Sequence, residues 1–552
     1  MSRRNPQGRA SNATNTMTLL LRLPFSVLAL VTSVVTTPGA AQVWIDMNES
    51  EAYVPRHEAS FVQAGDKFYL FGGREQARRI DVYDYATNAW TSLTGSPSQA
   101  PIEFNHFQAT EYQGLIWVIG AFQTNNFPNE APAESIYVFD PANQRWMEGP
   151  EIPAGRRRGG AGLAVYGDKF YVVAGNQQGH NGGYIPWFDE YDPYTGAWTA
   201  LDDAPRARDH FHAAVVGDKL YAAGGRLSGG PGGTFAPLIP EVDVFDFTSD
   251  TWSTLPPESN LPTPRAGTAT AVFDGKIMVI GGEGNGLAYN TVEGLDPNTG
   301  QWQTLASLNH RRHGTQAIVS GAGVYVAAGS PNQGGGNQRN MEVYNANAPT
   351  GEPSVSSALS APQQAVVLSG APRAISLAHV VGNVGAFITN VSLTGENAAD
   401  FLVTTPGSGD PFLIPIGGAR DILLEYIGTA PLSSAMLNVN YNGQQTASVE
   451  ITGSFFSGDV DRDGDVDAAD YDVWRAQYGL IVADYSGADA NGNGVVDAAD
   501  YVVWRNNFGA GGNAASTAAP EPAAATLTLI AAIVGACKRR VSNRLRVSAN
   551  EF

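Results

Sequence analysis

Two segments near the C-terminal end carry side-chain oxygens at the same spacing. In each, Asp or Asn stands at positions 1, 3, 5, 9 and 12 of a twelve-residue stretch, glycine stands at position 6, and position 7 offers its backbone carbonyl. The two sets are Asp459, Asp461, Asp463, Asp465, Asp467 and Asp470, and Asp489, Asn491, Asn493, Val495, Asp497 and Asp500. Ca²⁺ is a hard cation that takes about six to eight oxygen ligands, and a tight loop of this spacing turns them inward. We therefore predict two calcium ions as the cofactors of this region.

A short helix is predicted after each calcium loop, because aromatic residues recur there at helical spacing. They are Tyr471, Trp474 and Tyr478, and then Tyr501, Trp504 and Phe508. This tandem of half EF-hands over residues 457–511 resembles a type I dockerin, which implies a cohesin partner and, by metal-coupled folding, a domain that needs Ca²⁺ to fold. Loop positions 10 and 11, where that family selects its cohesin, hold only alanine here. An unusual cohesin and a purely structural module therefore both stay open.

The front half of the chain repeats a unit of about 50 residues, a period in the range of propeller blades. Each unit has an apolar run that ends in a pair of small residues, followed by an aspartate six residues before a tryptophan. The pairs are Asp84 and Trp90, Asp140 and Trp146, Asp192 and Trp198, Asp246 and Trp252, and Asp296 and Trp302. Turns such as Gly167-Asp168 suit tight hairpins, so each unit predicts four antiparallel strands.

These hallmarks resemble the kelch family, and the resemblance implies a six-bladed β-propeller over residues 42–348. The final unit, which includes Met341–Tyr344, has no tryptophan of its own, whereas Trp44 has no strands before it. We therefore predict that the N-terminal strand around Trp44 completes the last blade. Pairing the two ends of the ring removes the last open sheet edge.

Charged residues cluster just before the first strand of the units. They are Arg56, His57, His106, Arg158, Arg208, His210, Arg265, Arg312 and His313. In a four-stranded meander the loops before strand one and between strands two and three share a face. We therefore predict that these residues ring a ligand-binding mouth, beside the long loops at 124–132, 176–186, 228–240 and 330–339.

Three interpretations of this mouth stay open. In the first, the arginines and histidines bond neighbouring blades and carbonyls, and the loops alone bind a ligand. In the second, they recognise a glycan, with Arg pairing a carboxylate while Trp187 and Phe235 stack on sugar faces. The third is an enzyme, since an exported six-bladed kelch protein is similar to the N-acetylneuraminate epimerases (sialic acid mutarotases).

No residue is assigned a catalytic role, and the sequence favours binding over catalysis. The only cysteine, Cys537, lies outside the propeller, which excludes the copper chemistry of the kelch-containing galactose oxidases. No zinc-type cluster is evident from the sequence. The predicted function is therefore a surface binding or scaffold protein that recognises a polysaccharide or a protein.

Residues 349–456 predict a small β-sandwich, because short alternating runs such as Val439-Asn440-Tyr441 are separated by turn residues. The strings Asn383-Val384-Gly385 and Ile451-Thr452-Gly453 resemble immunoglobulin-like modules of the ASPM/Hydin type, which implies a spacer or adhesion role. The predicted fold class is therefore mainly β, with one small all-α calcium-binding domain.

The two ends of the chain predict export and sorting. Residues 1–41 have arginines before a short apolar run and small residues for cleavage, which indicates a signal peptide. Residues 512–552 contain Pro520-Glu521-Pro522, an apolar run and a basic cluster. They resemble a PEP-CTERM sorting signal, which implies an exosortase-type enzyme and transient membrane contact. A retained anchor is the alternative at both ends.

The formal charge of −20 argues against a general nucleic-acid binder. We expect a secreted or cell-envelope protein on the extracellular side.

Overall fold

The computed structural model describes residues 42–47, 52–346, 348–405 and 411–511. The predicted signal peptide at 1–41 and the predicted sorting signal at 512–552 lie outside these residues. The described part is mainly β: six four-stranded antiparallel sheets, then two sheets that share one core, then two short helices. Neither helix has the length or the apolar character needed to cross a bilayer.

The six four-stranded sheets follow the sequence repeat, and we name them A to F. Sheet A contains Ala59–Ala64, Lys67–Gly72, Ile80–Asp84 and Ala89–Leu93, and sheet B contains Ala109–Tyr112, Leu115–Val118, Ser135–Asp140 and Arg145–Glu151. Sheet C contains Gly162–Tyr166, Lys169–Val173, Phe188–Asp192 and Ala197–Leu201, and sheet D contains Ala213–Val216, Lys219–Ala222, Asp243–Asp246 and Thr251–Thr254. Sheet E contains Ala269–Phe273, Lys276–Ile280, Val292–Leu295 and Trp302–Thr304, and sheet F contains Ala317–Ser320, Gly323–Ala327, Met341–Tyr344 and Trp44–Asp46. The first strands of consecutive sheets lie side by side, and the first strand of sheet F lies beside that of sheet A.

The repeated aspartate shapes the turn between the third and fourth strands. Asp84 Oδ1 accepts hydrogen bonds from the backbone N–H groups of Ala86 and Thr87, at 3.0 and 3.1 Å. Asp140, Asp192, Asp246 and Asp296 bond their own turns in the same way. An aspartate that bonds the backbone two residues on forms an Asx turn, which explains why this residue recurs at this position.

The small pair after each second strand ties one sheet to the next. Gly282, at φ +107°, donates its N–H to Arg312 O at 2.8 Å, and Gly329 donates to Arg56 O at 2.8 Å. A Cβ built at Gly282 would lie 2.9 Å from Ala266 O. Glycine is required there because the conformation is left-handed and a neighbouring backbone is in contact.

The N-terminal strand lies where the sequence analysis predicts it. Trp44 pairs with Tyr344 and Asp46 with Glu342 in an antiparallel register. Trp44 Nε1 donates to Ala306 O at 2.9 Å, in the segment that leads into sheet F. Trp302 Nε1 makes the equivalent bond to Ser259 O at 2.8 Å, in the segment that leads into sheet E. Trp44 therefore takes the place of the repeat tryptophan that the final unit lacks.

The sandwich predicted at 349–456 consists of two sheets, which we name G and H. Sheet G contains Ala358–Ser360, Arg373–Val381, Ala419–Tyr426 and Phe401–Thr405, and sheet H contains Gln364–Leu368, Gln445–Ser454, Leu432–Tyr441, Ala386–Thr394 and Phe412–Ile414. Buried residues of both sheets, among them Ile375, Leu377, Leu437 and Ile451, form one hydrophobic core.

Sheet H also packs against the edges of sheets B and C. Val384, Phe387 and Leu413 are buried in the same cluster as Trp117, and the Phe387 and Trp117 rings meet edge to face at 5.4 Å. Leu413 N donates to Pro193 O at 2.7 Å across the boundary. The two regions therefore share one hydrophobic cluster, which is separate from the core between sheets G and H.

The remaining elements are short. A two-stranded pair, Glu283–Gly284 with Leu287–Ala288, lies inside the long connection of sheet E. Four 3₁₀ turns occur at Ala154–Arg156, Gly179–Asn181, Pro257–Ser259 and Ala398–Asp400. Helices α1 (Ala468–Gln477) and α2 (Ala498–Asn507) each begin directly after a predicted calcium loop.

Candidate functional site

Five of the six sheets have an arginine before their first strand, and each of these arginines is buried against its own sheet. Arg208, with 1% of its surface exposed, donates to Ala222 O at 2.9 Å and to Gly224 O at 2.8 Å. Its Nη2 also donates to Asp243 Oδ2 at 2.6 Å, on the third strand. Arg56, Arg158, Arg265 and Arg312 pair in the same way with Asp81, Asp189, Glu293 and Glu342.

This geometry corrects the expectation that these five arginines line a ligand-binding mouth. Each guanidinium group is surrounded by carbonyls and one carboxylate of its own sheet, so its donors face the protein interior and not a ligand. The first of the three interpretations, in which the arginines bond carbonyls within the blades, describes their contacts. A guanidinium has five N–H donors in a planar fork, which suits the ends of two adjacent strands.

A closed circle of backbone hydrogen bonds joins the six sheets at their first strands. Glu58, His106, Gly160, His210, Gly267 and Gly314 hold equivalent positions and all have positive φ. In this order, the N–H of each member from His106 to Gly314 donates to the carbonyl of the preceding member of the circle, at 2.7 to 3.1 Å. Ala59 N closes the circle by donating to Gly314 O at 3.2 Å. The circle surrounds a cavity of about 20 Å³, which is about the space of one water molecule.

The histidines, unlike the arginines, gather around this circle. His106 and His210 have ring centroids 4.5 Å apart, and His180 lies 5.0 Å from the first and 4.9 Å from the second. His57 and His313 lie beside each other at 5.8 Å. All five histidines are buried, so they gather below the surface. His57, His106, His210 and His313 were expected to ring an open mouth, and His180 was not among the expected residues.

Carboxylates lie against these rings. His313 Nε2 is 3.4 Å from Glu58 Oε1 and 3.4 Å from Glu283 Oε2, and His57 Nδ1 is 3.0 Å from Glu75 Oε1. Burial lowers the pKa of His313, but Glu283 and Glu58 raise it more, so the pKa of His313 lies above its ordinary value. Burial raises the pKa of Glu58, but His106 and His313 lower it by more. The pKa of Glu58 therefore lies well below its ordinary value. This buried centre therefore holds ionised carboxylates beside imidazoles.

Aromatic side chains of the long loops lie above the central histidines. Phe127 is 54% exposed and its ring lies 4.9 Å from that of His180. Phe235 lies 6.2 Å from His180 and beside an open cleft of about 590 Å³ that Pro237 and Gln333 also line. The ring of Trp187, predicted to stack on a sugar, has the guanidinium of Arg156 over it at 4.6 Å. Phe127 and Phe235 are thus the aromatic residues at the rim of this centre.

Each of the two predicted calcium loops leads directly into a helix. Single carboxylate oxygens of Asp459, Asp461 and Asp463 lie within 4.8 Å of one another. Asp467 and Asp497 cap the two helices, and each forms a reciprocal capping box with the aspartate at position 12. Burial, with the nearby charge of Asp461, raises the pKa of Asp470 to about 6. A loop that crowds carboxylates in this way favours a bound cation.

The two loops hold each other through their tryptophans. Trp474 Nε1 in α1 donates to Asp497 O at 2.8 Å, and Trp504 Nε1 in α2 donates to Asp467 O at 2.7 Å. Tyr471 and Tyr501 pack between them at 6.0 Å. The aromatic faces predicted for the helices therefore face each other.

Comparison with known proteins agrees with the repeat. Residues 150–329 match the family model described as the KLHDC2/KLHL20/DRC7 Kelch-repeats domain. The chain is 26% identical over 329 residues to the Kelch-like protein terF of Aspergillus terreus, covering 57% of this chain and 69% of that protein. It is 28% identical over 278 residues to Kelch-like protein 25 of Xenopus tropicalis, covering 48% of this chain and 43% of that one. This chain therefore contains a kelch-repeat domain, as its sequence predicts.

Two further comparisons complete this result. Kelch-like protein 23 of Pongo abelii is 21% identical over 292 residues, covering 52% of this chain and 48% of that protein. The chain thus spans less than half the length of the two vertebrate relatives. A solved structure titled "Structure of YjhT" superposes with a TM-score of 0.44 at 17% identity, over 53% of this chain and 95% of that one.

Sequence reasoning missed several residues of the central site. Glu58, Glu130, His180, Arg226 and Glu283 belong to it, although they come from different sheets and loops. Glu130 lies in the long loop at 124–132 of sheet B, and His180 lies in the loop at 176–186 of sheet C. The sequence predicted both loops, but it did not predict that these two side chains turn toward the centre. One sequence signal could have located two of these residues. Arg226 and Glu283 each come directly after the glycine pair of their own repeat unit.

Proposed function

We propose that this protein is an exported binding protein, in which the kelch-repeat sheets close into a six-bladed propeller whose loop face binds a polysaccharide or a protein. The exposed Phe127 and the cleft beside Phe235 carry this proposal, since both flank the buried polar centre. Exposed aromatic rings near polar groups are common anchors for sugars and for protein partners. The five buried arginines take no part in the binding.

A binding assay with two rim variants tests the proposal. Purified full-length protein is applied to a polysaccharide and glycan array and to immobilised envelope proteins, with Phe127→Ala and Phe235→Ala beside it. We expect each variant to lower affinity about tenfold or more, as loss of a central aromatic anchor does. Ile416→Ala, on the exposed surface of the sandwich, serves as the matched control. Unchanged binding in both rim variants would contradict the proposal, and turnover of a sialic or uronic acid would favour the enzyme alternative.

We also propose that residues 457–511 form a dockerin-type module that binds two Ca²⁺ ions. The close approach of Asp459, Asp461 and Asp463 supports the first site, and Asp459 Oδ1 and Asp465 Oδ1 have no hydrogen-bond partner among the described residues. The second loop repeats the hydrogen bonds of the first, with Asn491 N and Asp497 N both donating to Asp500 as Asp461 N and Asp467 N donate to Asp470. The Ig-like sheets G and H act as the spacer between this module and the propeller.

Calorimetry of the full chain tests the calcium sites. We expect two ions per chain in the wild type, and one weakened site in Asp470→Asn, which removes the charge of the position-12 ligand. Asp472→Asn is the control, because Asp472 lies two residues further along α1 with a side chain that is 69% exposed. A far-ultraviolet circular dichroism spectrum unchanged by chelator would contradict the requirement for Ca²⁺.

The cohesin partner and the sorting steps are part of the same proposal. Ala468, Ala469, Ala498 and Ala499 are all exposed at the start of the helices, a small apolar surface that suits an unusual cohesin. Mass spectrometry of protein from the producing cells would locate the mature ends. Ends near residues 42 and 520 support cleavage of a signal peptide and of a PEP-CTERM signal, and intact ends contradict it.

A further inference from the structure

Three buried histidines from three different sheets converge on one point. His106 precedes the first strand of sheet B, His180 lies in the 3₁₀ turn of the sheet C loop, and His210 precedes the first strand of sheet D. One ring nitrogen from each lies within 4.8 Å of the others, and each residue is 4% exposed. Neutral imidazole nitrogens are the commonest ligands of transition metals in proteins.

A side-chain oxygen fixes the orientation of each ring at Nδ1. His106 Nδ1 is 2.6 Å from Asn105 Oδ1, His180 Nδ1 is 3.1 Å from Glu130 Oε1, and His210 Nδ1 bonds Asp209 Oδ1. An oxygen acceptor at Nδ1 holds the proton there, which leaves the Nε2 lone pair for a ligand. Metal-binding histidines are oriented by such contacts with carboxylates and carbonyls.

The Nε2 atoms lack the partners that buried polar atoms normally have. His106 Nε2 and His210 Nε2 have no hydrogen-bond partner among the described residues, although Glu58 Oε1 lies 3.5 Å from the former. His180 Nε2 accepts a bond from Arg226 Nη2 at 3.2 Å. A buried polar atom left unbonded is costly, so two such nitrogens at one point indicate a ligand that bonds them both.

The charges around the rings suit a divalent cation. The carboxylates in this network are Glu58, Glu130, Asp209 and Glu283, against the guanidinium groups of Arg74 and Arg226. The four carboxylates carry four negative charges, and the two guanidinium groups carry two positive ones. With a positive charge on His313 as well, one net negative charge remains.

We propose that His106, His180 and His210 bind one divalent transition-metal ion of the zinc class through their Nε2 atoms. Zn–N bonds of about 2.1 Å bring tetrahedral ligand atoms to about 3.4 Å from one another, so the separations between the ring nitrogens shrink by up to about 1.4 Å when the ion binds. The ion replaces the hydrogen bond from Arg226 to His180. Glu58 Oε1 lies 3.5 Å from His106 Nε2. This imidazole site differs in chemistry from the all-oxygen calcium loops, because borderline metals prefer nitrogen and Ca²⁺ prefers oxygen.

Cobalt and zinc titrations of the full chain test the site. The protein is treated with chelator, returned to millimolar Ca²⁺ so that the calcium loops are filled, and titrated with Co²⁺ and then with Zn²⁺. We expect one Co²⁺ per chain with a visible absorption band, and its displacement by one equivalent of Zn²⁺. Mg²⁺ in excess leaves the band unchanged.

Ligand variants assign the band to the three rings. We expect His106→Gln, His180→Gln and His210→Gln each to weaken Co²⁺ binding about 100-fold or more. Asp209→Asn, which weakens the acceptor at Nδ1 of His210 and also alters the contacts of Asp209 with Ser228, lowers the affinity about 10-fold to 100-fold. His310→Gln is the control, because His310 lies in the segment that leads into sheet F and its side chain is 34% exposed. Circular dichroism before each titration identifies any variant that does not fold.

The wild type alone also decides the question, whatever the variants do. An increase of the melting temperature with Zn²⁺ at constant Ca²⁺, together with the Co²⁺ band, supports the site. The absence of a bound equivalent at 100 µM Co²⁺ or Zn²⁺ overturns it. Binding that persists in a folded His106→Gln/His210→Gln double variant also overturns it, and either result leaves the proposed ligand-binding function of the rim untouched.

Discussion

Replacing Arg208 by methionine separates a structural arginine from a ligand-binding one. The change keeps most of the side-chain volume but removes the donors to Ala222 O, Gly224 O and Glu241 O and the charge beside Asp243. Breaking a buried ion pair by removing one partner costs about 3–5 kcal/mol. The lower end applies here, because Asp243 keeps its bonds to Arg206 and to Thr254 Oγ1. We therefore expect the free energy of unfolding to fall by about 3 kcal/mol.

Urea denaturation at constant Ca²⁺, followed by tryptophan fluorescence, measures the effect. In a thermal melt, a loss of about 3 kcal/mol lowers the melting temperature of a region of about 300 residues by about 5 °C. Arg206→Met is the matched control, since Arg206 contacts the same carboxylate but is 29% exposed in its side chain, and it should cost about 1 kcal/mol or less. Unchanged stability in Arg208→Met, with loss of ligand binding, would refute the structural role of Arg208.

Two further substitutions test close packing, the first within sheet E and the second between the sandwich and sheet B. Gly282→Ala forces a Cβ to within 2.9 Å of Ala266 O at φ +107°, so we expect the free energy of unfolding to fall by about 2–3 kcal/mol. Gly275→Ala is the control, because its φ is also positive but its Cβ position is open. We expect the control to cost about 1 kcal/mol. Equal effects of the two changes, measured by urea denaturation, would contradict the argument from close approach. Phe387→Ala should cost about 3–5 kcal/mol and speed amide hydrogen exchange in Leu115–Val118, because the ring packs on Trp117. Phe401→Ala, in the sandwich core, should destabilise sheets G and H and leave exchange in Leu115–Val118 unchanged.

Local chemistry made much of the fold predictable from the sequence. The Asx turn of Asp84 and the left-handed turn after each second strand need particular residue types, so the repeat shows the four-strand units directly. The helices that follow the two predicted calcium loops were predictable for the same reason, because their aromatic residues recur at helical spacing. The pairing of Trp44 with Tyr344 followed from a missing tryptophan in one unit and a surplus one elsewhere.

The central site was only partly predictable, because its residues meet across sheets. An arginine before a strand has the same sequence environment whether its guanidinium faces solvent or, as Arg208 does, the carbonyls of its own sheet. The convergence of His180 with His106 depends on the path of a loop, which no local pattern encodes. Likewise, Phe387 looks like an ordinary core residue of the sandwich, and its burial against Trp117 depends on how sheets from two regions meet.

The pairing of Trp44–Asp46 with Met341–Tyr344 has a consequence for the order of folding. The two partners are separated by about 300 residues, and joining chain ends that far apart costs about 3 kcal/mol more in entropy than closing a ten-residue loop. The three-residue strand recovers little of that cost until the intervening sheets have already brought its partner near. The N-terminal strand is therefore expected to dock last, after which the structure can open again only by releasing it.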